Sequence, residues 1–309
     1  MSLETPSSPS NLALADALLA VSQGDFAHKV LAAFSDLDRE KVGQLRRAWP
    51  VLELDTRERL IRALDELAEA TVNYNFGRVY RVALGDTEAS VRQLAIPALW
   101  EEESSELLDV LFSMIDDPSQ DVRAEAARAL GRYVVLVAAE EFDAVYEGRL
   151  YDALYRLASD PGEHQLVRRY ALESLASFGG RGPIVDLIRE AYSDEDQSVR
   201  AGAIFAMGRS LDARWLNIVL SELKADDPEL RYEAARACGE LGDNRAVEGL
   251  AALANDTDTE VRIAAIAALG RIASPGASRV LRRLAELASG EDLQAIEEAI
   301  EQTELIAGG

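Results

Sequence analysis

The side chains best equipped for chemistry are few: two histidines, His28 and His164, and one cysteine, Cys238, in 309 residues. A histidine-based metal centre needs at least two imidazoles at ligand spacing on one element. His28 and His164 sit far apart, each without a second histidine nearby, so both read as exposed or locally hydrogen-bonded groups. Cys238 falls on an apolar helical face, where desolvation disfavours the thiolate and makes the sulfur inert. The stretch Gly179-Gly180-Arg181-Gly182-Pro183 is glycine-rich but lacks the lysine and hydroxyl of a phosphate-cradling loop, and reads as a turn. Carboxylate pairs abound, yet among 55 acidic residues they mark solvated helix faces. These readings predict no catalytic, metal or cofactor-binding residue and a chain that is not an enzyme.

The residues that recur do so for architecture. Arg92, Arg123, Arg168, Arg200, Arg231 and Arg262 are separated by 31, 45, 32, 31 and 31 positions. A fixed period of this size marks one supersecondary unit copied along an axis. With each arginine as position 0, alanine holds +3 in all six copies: Ala95, Ala126, Ala171, Ala203, Ala234 and Ala265. Position −1 is Val91, Val122, Val167, Val199, Leu230 and Val261; position +7 is Leu99, Leu130, Leu175, Met207, Cys238 and Leu269. Positions −1, +3 and +7 share one helical face, which is therefore buried, with the small alanine admitting a close neighbour. Asp196, Asp227 and Asp258 stand where helix N-caps belong, with Pro228 at a first helical position. Gly131, Gly208, Gly239 and Gly270, all at +8, are expected close to the helix stops. A second amphipathic segment precedes each arginine helix, as in residues 246–253, so every unit reads as a helix hairpin. Asp86, Asp117, Asp194 and Asp256, six residues before their arginines, are expected to build a charge-assisted ladder between loops and neighbouring repeats, irregular near Arg168.

Composition agrees with an all-α chain: Ala, Leu, Glu and Arg dominate, and proline is limited to 9 residues. Fifty-five acidic against 32 basic residues give a net charge of −23, which repels phosphate backbones and anionic membrane surfaces. No apolar run approaches the roughly 18 residues of a membrane helix. A single cysteine forms no internal disulfide, and the first ten residues carry no export-type segment, so the expected compartment is the cytoplasm.

The domain reading has four parts: a disordered tail over residues 1–10, capping helices and a diverged first repeat over 11–71, repeats over 72–274, and a C-terminal capping repeat over 275–309. No internal boundary is expected within this array. Within 38–71, Pro50 breaks the chain and Asp55 is placed to cap the following helix. In the last copy Leu293 replaces the arginine while Ile296 and Ile300 keep the apolar sites, and Glu297, Glu298, Glu301 and Glu304 cover the other face. The long interval after Arg123 holds an insertion at about 133–147 beginning Tyr133-Val134-Val135-Leu136-Val137. It reads either as an extended helix packed on its partner at 143–158 or as an exposed docking patch. Residues 101–121 hold eight acids and no base, a solvated face or a dock for a basic partner.

The pattern D-x-x-x-x-V-R-x-x-A-x-x-A-L-G, clearest in DTDTEVRIAAIAALG over 256–270, resembles the HEAT-like repeat of the phycobilisome-lyase type. The resemblance covers about residues 76–289. It implies a right-handed α-solenoid of about eight helix hairpins, with the second helices lining a concave surface. Family members include scaffolds, regulators, bilin-attachment subunits and a few enzymes. The deoxyhypusine hydroxylase type is similar in architecture but carries paired His-Glu steps for iron; here His28 precedes Lys29 and His164 precedes Gln165, which argues against that activity.

On that frame positions +1, +2, +5 and +9 face the concavity. They include Arg128, Arg132, Arg169, Tyr170, Phe205, Arg209, Tyr232, Glu233, Arg236 and Arg271, with Glu125, Glu173 and Glu240 among them. Arginines interleaved with aromatics have the composition of a protein-binding hot spot, although the same residues can instead pair with one another. The expected function is a non-catalytic protein- or peptide-binding scaffold, with no nucleic-acid or membrane partner. The alternatives are an accessory or regulatory subunit of an enzyme, like bilin-lyase subunits, and a catalyst using carboxylate-bound metal.

Overall fold

The computed structural model describes residues 12–71 and 73–308, which contain helices, turns and irregular segments and no strand. The expected tail at 1–10 lies outside the described residues. The chain divides into two compact units, one ending at Ala129 and one beginning at Leu130.

The first unit opens with α1 (Leu14–Ser22) and α2 (His28–Leu31), the latter continued by a tight turn at Ala32–Phe34. Hairpins follow: α3 (Arg39–Ala48) with α4 (Leu54–Ala70), α5 (Gly77–Ala83) with α6 (Ala89–Ala95), and α7 (Ser105–Met114) with the start of α8 (Gln120–Ala138). Asp38 caps α3 by accepting the Lys41 N–H at 2.8 Å, and Pro50 sits in the turn Trp49–Val51 that separates α3 from α4. Asp55 does not cap α4. It is the second helical residue, after Glu53 at the cap position, so it acts through its charge near the helix N-terminus.

The second unit continues α8 and adds α9 (Glu147–Ser159), α10 (Gln165–Leu175), α11 (Gly182–Tyr192), α12 (Gln197–Arg209), α13 (Leu216–Glu222) and α14 (Pro228–Leu241). It ends with α15 (Val247–Leu253), α16 (Thr259–Ile272), α17 (Pro275–Ala285) and α18 (Gly290–Gly308). The second helices α10, α12, α14, α16 and α18 pack side by side in that order, each also packed on its own first helix. Among the described residues eight hairpins thus follow the two N-terminal helices, the all-helical hairpin repeat that the period predicts.

The seam forms as the pattern requires. All six +3 alanines are fully buried, as are Val91, Val122, Val167 and Val261 at −1 and Leu130, Leu175, Met207, Cys238 and Leu269 at +7. Asp196, Asp227 and Asp258 accept the N–H groups of Val199, Leu230 and Val261 at 3.2–3.3 Å, so the three expected N-caps are real. The loop aspartates make a second local turn: Asp117, Asp194 and Asp256 each accept the N–H two residues on at 2.9 Å.

Three of the +8 glycines lie within two residues of a helix end; α8 instead runs beyond Gly131 to Ala138. Their shared role is close approach. A Cβ on Gly208 would stand 2.5 Å from Ala237 Cα, one on Gly239 3.0 Å from Ala268 Cα, and one on Gly270 3.0 Å from Ala299 Cβ. Each +8 glycine therefore receives position +6 of the next second helix.

In the insertion Tyr133, Val134, Leu136 and Val137 are buried while Val135 is exposed. Tyr133 meets Phe142 edge-on at 5.1 Å, and Phe142 meets Tyr146 at 5.4 Å. Of the two readings the extended, packed helix is the one found, since the apolar run is largely withdrawn from solvent. In the last hairpin Ile296 is buried and Glu297, Glu298, Glu301 and Glu304 are exposed, as expected of a cap.

Candidate partner-binding face

The marker arginines are built into the stack. Arg92 donates to the backbone carbonyls of Asp86 and Thr87 at 2.8 and 3.0 Å, and its other nitrogens reach both carboxylate oxygens of Asp117 at 2.9 and 2.7 Å. Arg231 repeats this on Ala225, Asp226 and Asp256. The aspartate belongs to the following repeat, so each guanidinium ties its own loop to the next one. The Arg231 hydrogen bond, resisted by burial and helped by the Asp258 N–H, holds Asp256 below the usual carboxylate range. Arg262 meets Asp292 at 3.1 Å, while Arg168 takes the Ala158 carbonyl and Glu190, each at 3.4 Å, which is the expected irregularity beside the insertion. Sequence reasoning missed the first rung: Arg57 reaches Asp86 at 2.5 Å and Trp49 donates to the same carboxylate at 2.6 Å, all three buried.

The histidines and the cysteine are local. His28 Nε2 is 3.2 Å from the Tyr74 hydroxyl, and His164 Nδ1 accepts the Leu166 N–H at 3.3 Å as the N-cap of α10. Burial, then Asp243, pushes the Cys238 thiol up to about 12.

On the row of second helices in the second unit, the +5 and +1 side chains converge. The Arg236 guanidinium lies over the rings of Phe205 at 4.9 Å and Tyr232 at 5.5 Å, with all three half-buried. Beside them a cleft of about 210 Å³ has a floor of Ile263, Ala264, Ala267 and Ala268 and a rim of Arg236, Glu260 and Arg271. The +9 positions form a polar string: Arg209 donates to Ser177 at 3.1 Å and stands 3.8 Å from Glu240, which pairs with Arg271 at 3.0 Å. Arg169 joins Glu173, Ser198 and Glu229 at 2.8, 2.6 and 3.0 Å.

Glu233 departs from the open-wall expectation: only 6% of its surface is exposed, and its carboxylate lies 3.2 Å from Arg236. Position +2 turns inward as the helices close up, and Gly202 and Ala264 at the same position are buried too. Desolvation raises the Glu233 carboxyl to about 7, with Arg236 and Arg169 opposing and Glu173 and Glu229 reinforcing. Tyr170 is half-buried on α10, and Arg132 lies over Tyr133 at 5.3 Å. Arg128 belongs to the first unit and bonds Glu125 on its own helix at 2.6 Å. The structure thus gathers Tyr232, Arg236 and Arg271 around one cleft, with Phe205 packed against Arg236 and with Arg169 and Arg209 in networks of their own.

Comparison with known families now adds a name for the repeat. Residues 80–141 and 216–301 match the HEAT repeats family. The chain is 30% identical over 112 residues to human deoxyhypusine hydroxylase, covering 36% of this chain and 37% of that protein. It is 33% identical over 139 residues to a HEAT repeat-containing taxis protein of Halobacterium salinarum, covering 38% and 34%. The chain thus spans about a third of the length of the curated relatives it matches. Among solved structures it is similar to human deoxyhypusine hydroxylase in complex with glycerol, with 19% identity, a TM-score of 0.37 and coverage of 94% and 97%. It is also similar to a designed armadillo repeat protein in complex with the peptide (KR)4, with 19% identity, a TM-score of 0.40 and coverage of 64% and 100%.

These relatives correct one expectation. The chain was expected not to be an enzyme, yet it has relatives at about 30% identity that are named as an enzyme, deoxyhypusine hydroxylase, in human and in Drosophila melanogaster. A repeat fold can carry catalysis on residues scattered over several hairpins, where no dense local motif marks them. Among the described residues no helix is long and apolar enough to cross a membrane.

Proposed function

We propose that the row of second helices in the second unit binds a protein partner, as an extended peptide or a helix, centred on Phe205, Tyr232 and Arg236. The supporting observation is the junction of a cation–π cluster with a cleft of about 210 Å³ that has an apolar floor and a charged rim. Aromatic surface supplies burial, arginine supplies directed bonds, and an adjoining small-residue floor accepts an apolar side chain. Arg132, Arg169, Tyr170, Arg209 and Arg271 flank this centre within the second unit, whereas Arg128 lies in the first. Glu233 enters as the buried counter-charge that orients Arg236. The repeats themselves fit the phycobilisome-lyase type in the residues at −1, 0 and +3, the proposed limits of the array are 72–274, and the chain's charge suits a cytoplasmic protein.

A Tyr232→Ala/Arg236→Ala double variant should lose capture of the partners that the wild type retains from its native cell extract, with its circular dichroism unchanged. A folded double variant that retains every one of those partners overturns the reading. The resemblance of the repeats to bilin-lyase HEAT-like subunits supports, second, a role as an accessory or regulatory subunit of an enzyme. Co-purification of a catalytic activity with the wild-type chain, and its loss with the double variant, would support that role.

A further inference from the structure

The first unit contains a cleft that none of the repeat logic uses. It has a volume of about 750 Å³, within the range of small-ligand sites. Its wall includes the carboxylates of Asp36, Asp65, Glu69, Glu101 and Glu102, and no lysine, arginine or histidine. Glu102 is balanced by Arg81, whose Nε donates to it at 3.1 Å. Asp65, Glu69 and Glu101 make no ion pair among the described residues. The same lining holds aromatic rings: Tyr74 stacks on Phe76 at 5.8 Å, and Trp100 is 64% exposed, unusual for so large an apolar ring.

One polar group in this wall is unsatisfied. Tyr80 is 3% exposed, and its hydroxyl is buried without a hydrogen-bond partner. Such a group is destabilising if nothing ever pairs with it. Burial and then the nearby Asp65 charge push the phenol upward, so it stays a neutral hydroxyl able to accept a hydrogen bond. Asp65 is itself raised, by burial first and then by Glu69 and Glu66, the signature of carboxylates crowded without a cation.

We infer that this cleft binds an organic cation, a primary alkylammonium group, with Asp65 and Glu69 as counter-charges, Trp100 and Tyr74 as cation–π walls and the Tyr80 hydroxyl as acceptor. An ammonium answers each feature at once: it carries three donors, seeks aromatic faces and neutralises the surplus charge. A hydrated metal ion would leave the rings without a role. A phosphate or carboxylate ligand would be repelled. The ammonium can arrive as a lysine side chain of a basic segment or as a free polyamine, which share this chemistry.

The test is calorimetric titration of the full chain with spermidine and, separately, with acetyl-Gly-Lys-Gly-amide, with acetyl-Gly-Gln-Gly-amide as the uncharged control. One probe or both should bind at a single saturable site, and Trp fluorescence should change on binding. Asp65→Asn and Trp100→Ala should each weaken binding about tenfold, consistent with a partly desolvated charge pair or cation–π contact. Glu190→Gln, on the exposed face of α11, should leave it unchanged and so separates a site from general attraction to an acidic protein. Binding of spermidine alone identifies a free amine as the ligand; binding of the lysine peptide identifies a protein segment. Failure of both probes to saturate at concentrations on the order of 10 mM overturns the inference. So does equal binding by wild type and by either cleft variant with an unchanged circular dichroism spectrum.

Discussion

Replacing Gly208 by alanine isolates the close approach of neighbouring second helices. In an ordinary helix the change would stabilise by about 1 kcal/mol, because alanine loses less backbone freedom than glycine. Here the new Cβ would lie 2.5 Å from Ala237 Cα and 2.7 Å from its Cβ. Carbon atoms in contact sit about 3.5–4.0 Å apart, so α12 and α14 must separate by about 1 Å. That displacement loosens a dry contact along the whole pair, and overpacking of this kind costs about 1–3 kcal/mol. The steric term wins, and the net loss should be about 1–2 kcal/mol. Gly239→Ala, with its nearest contact at 3.0 Å, should be milder. Gly148→Ala, in the first turn of α9 with nothing within 4 Å, should stabilise. Because the clash on Gly208 is with backbone, adding Ala237→Gly should rescue only part of the loss. Urea denaturation followed by circular dichroism, with hydrogen exchange of α12 and α14 to localise the effect, measures the order Gly148→Ala, wild type, Gly239→Ala, Gly208→Ala from most to least stable. A Gly208→Ala protein at least as stable as wild type refutes the argument that these glycines are selected by contact.

Two further outcomes concern charge. The Glu233 carboxyl is raised from 4.5 to about 7, so between those values the folded chain holds a proton that the unfolded chain has released, and stability falls as pH rises through that window. Glu233→Gln should therefore match wild type near pH 4 and exceed it by about 3 kcal/mol at pH 8, and parallel stability–pH curves for the two would refute the shift. In the inter-repeat clamp, Arg231→Met should destabilise by about 2–4 kcal/mol at neutral pH, since it strands the nearly buried Asp256 and two loop carbonyls. Asp256 is held below its unfolded value of 3.8, so its share of that stability is present above this pH and is lost as pH falls through the folded value. The gap between wild type and variant, measured by denaturation across acid pH, should narrow accordingly; a constant gap refutes the ion-pair account.

Much of the fold is legible in the chain because its determinants are local. The +3 alanines and the −1 and +7 apolar residues define a buried stripe through helical geometry alone, and Asp196, Asp227 and Asp258 cap helices through bonds that reach only three residues. The insertion is not settled in this way: its apolar run fits packing and docking alike, and only its burial in the structure separates the two. What the pattern leaves open depends on distances between repeats. Only the stack decides that Arg231 takes the aspartate 25 residues ahead, that Gly208 receives Ala237, and that Glu233 is buried while Tyr232 beside it stays half-open. The Arg57–Asp86–Trp49 cluster and the cleft around Tyr80, Asp65 and Trp100 join residues from different hairpins. Periodicity along one helix specifies which side is dry; the separation and stagger of adjacent helices, set by side-chain volume at their contacts, specify which charges meet and where a cleft is left.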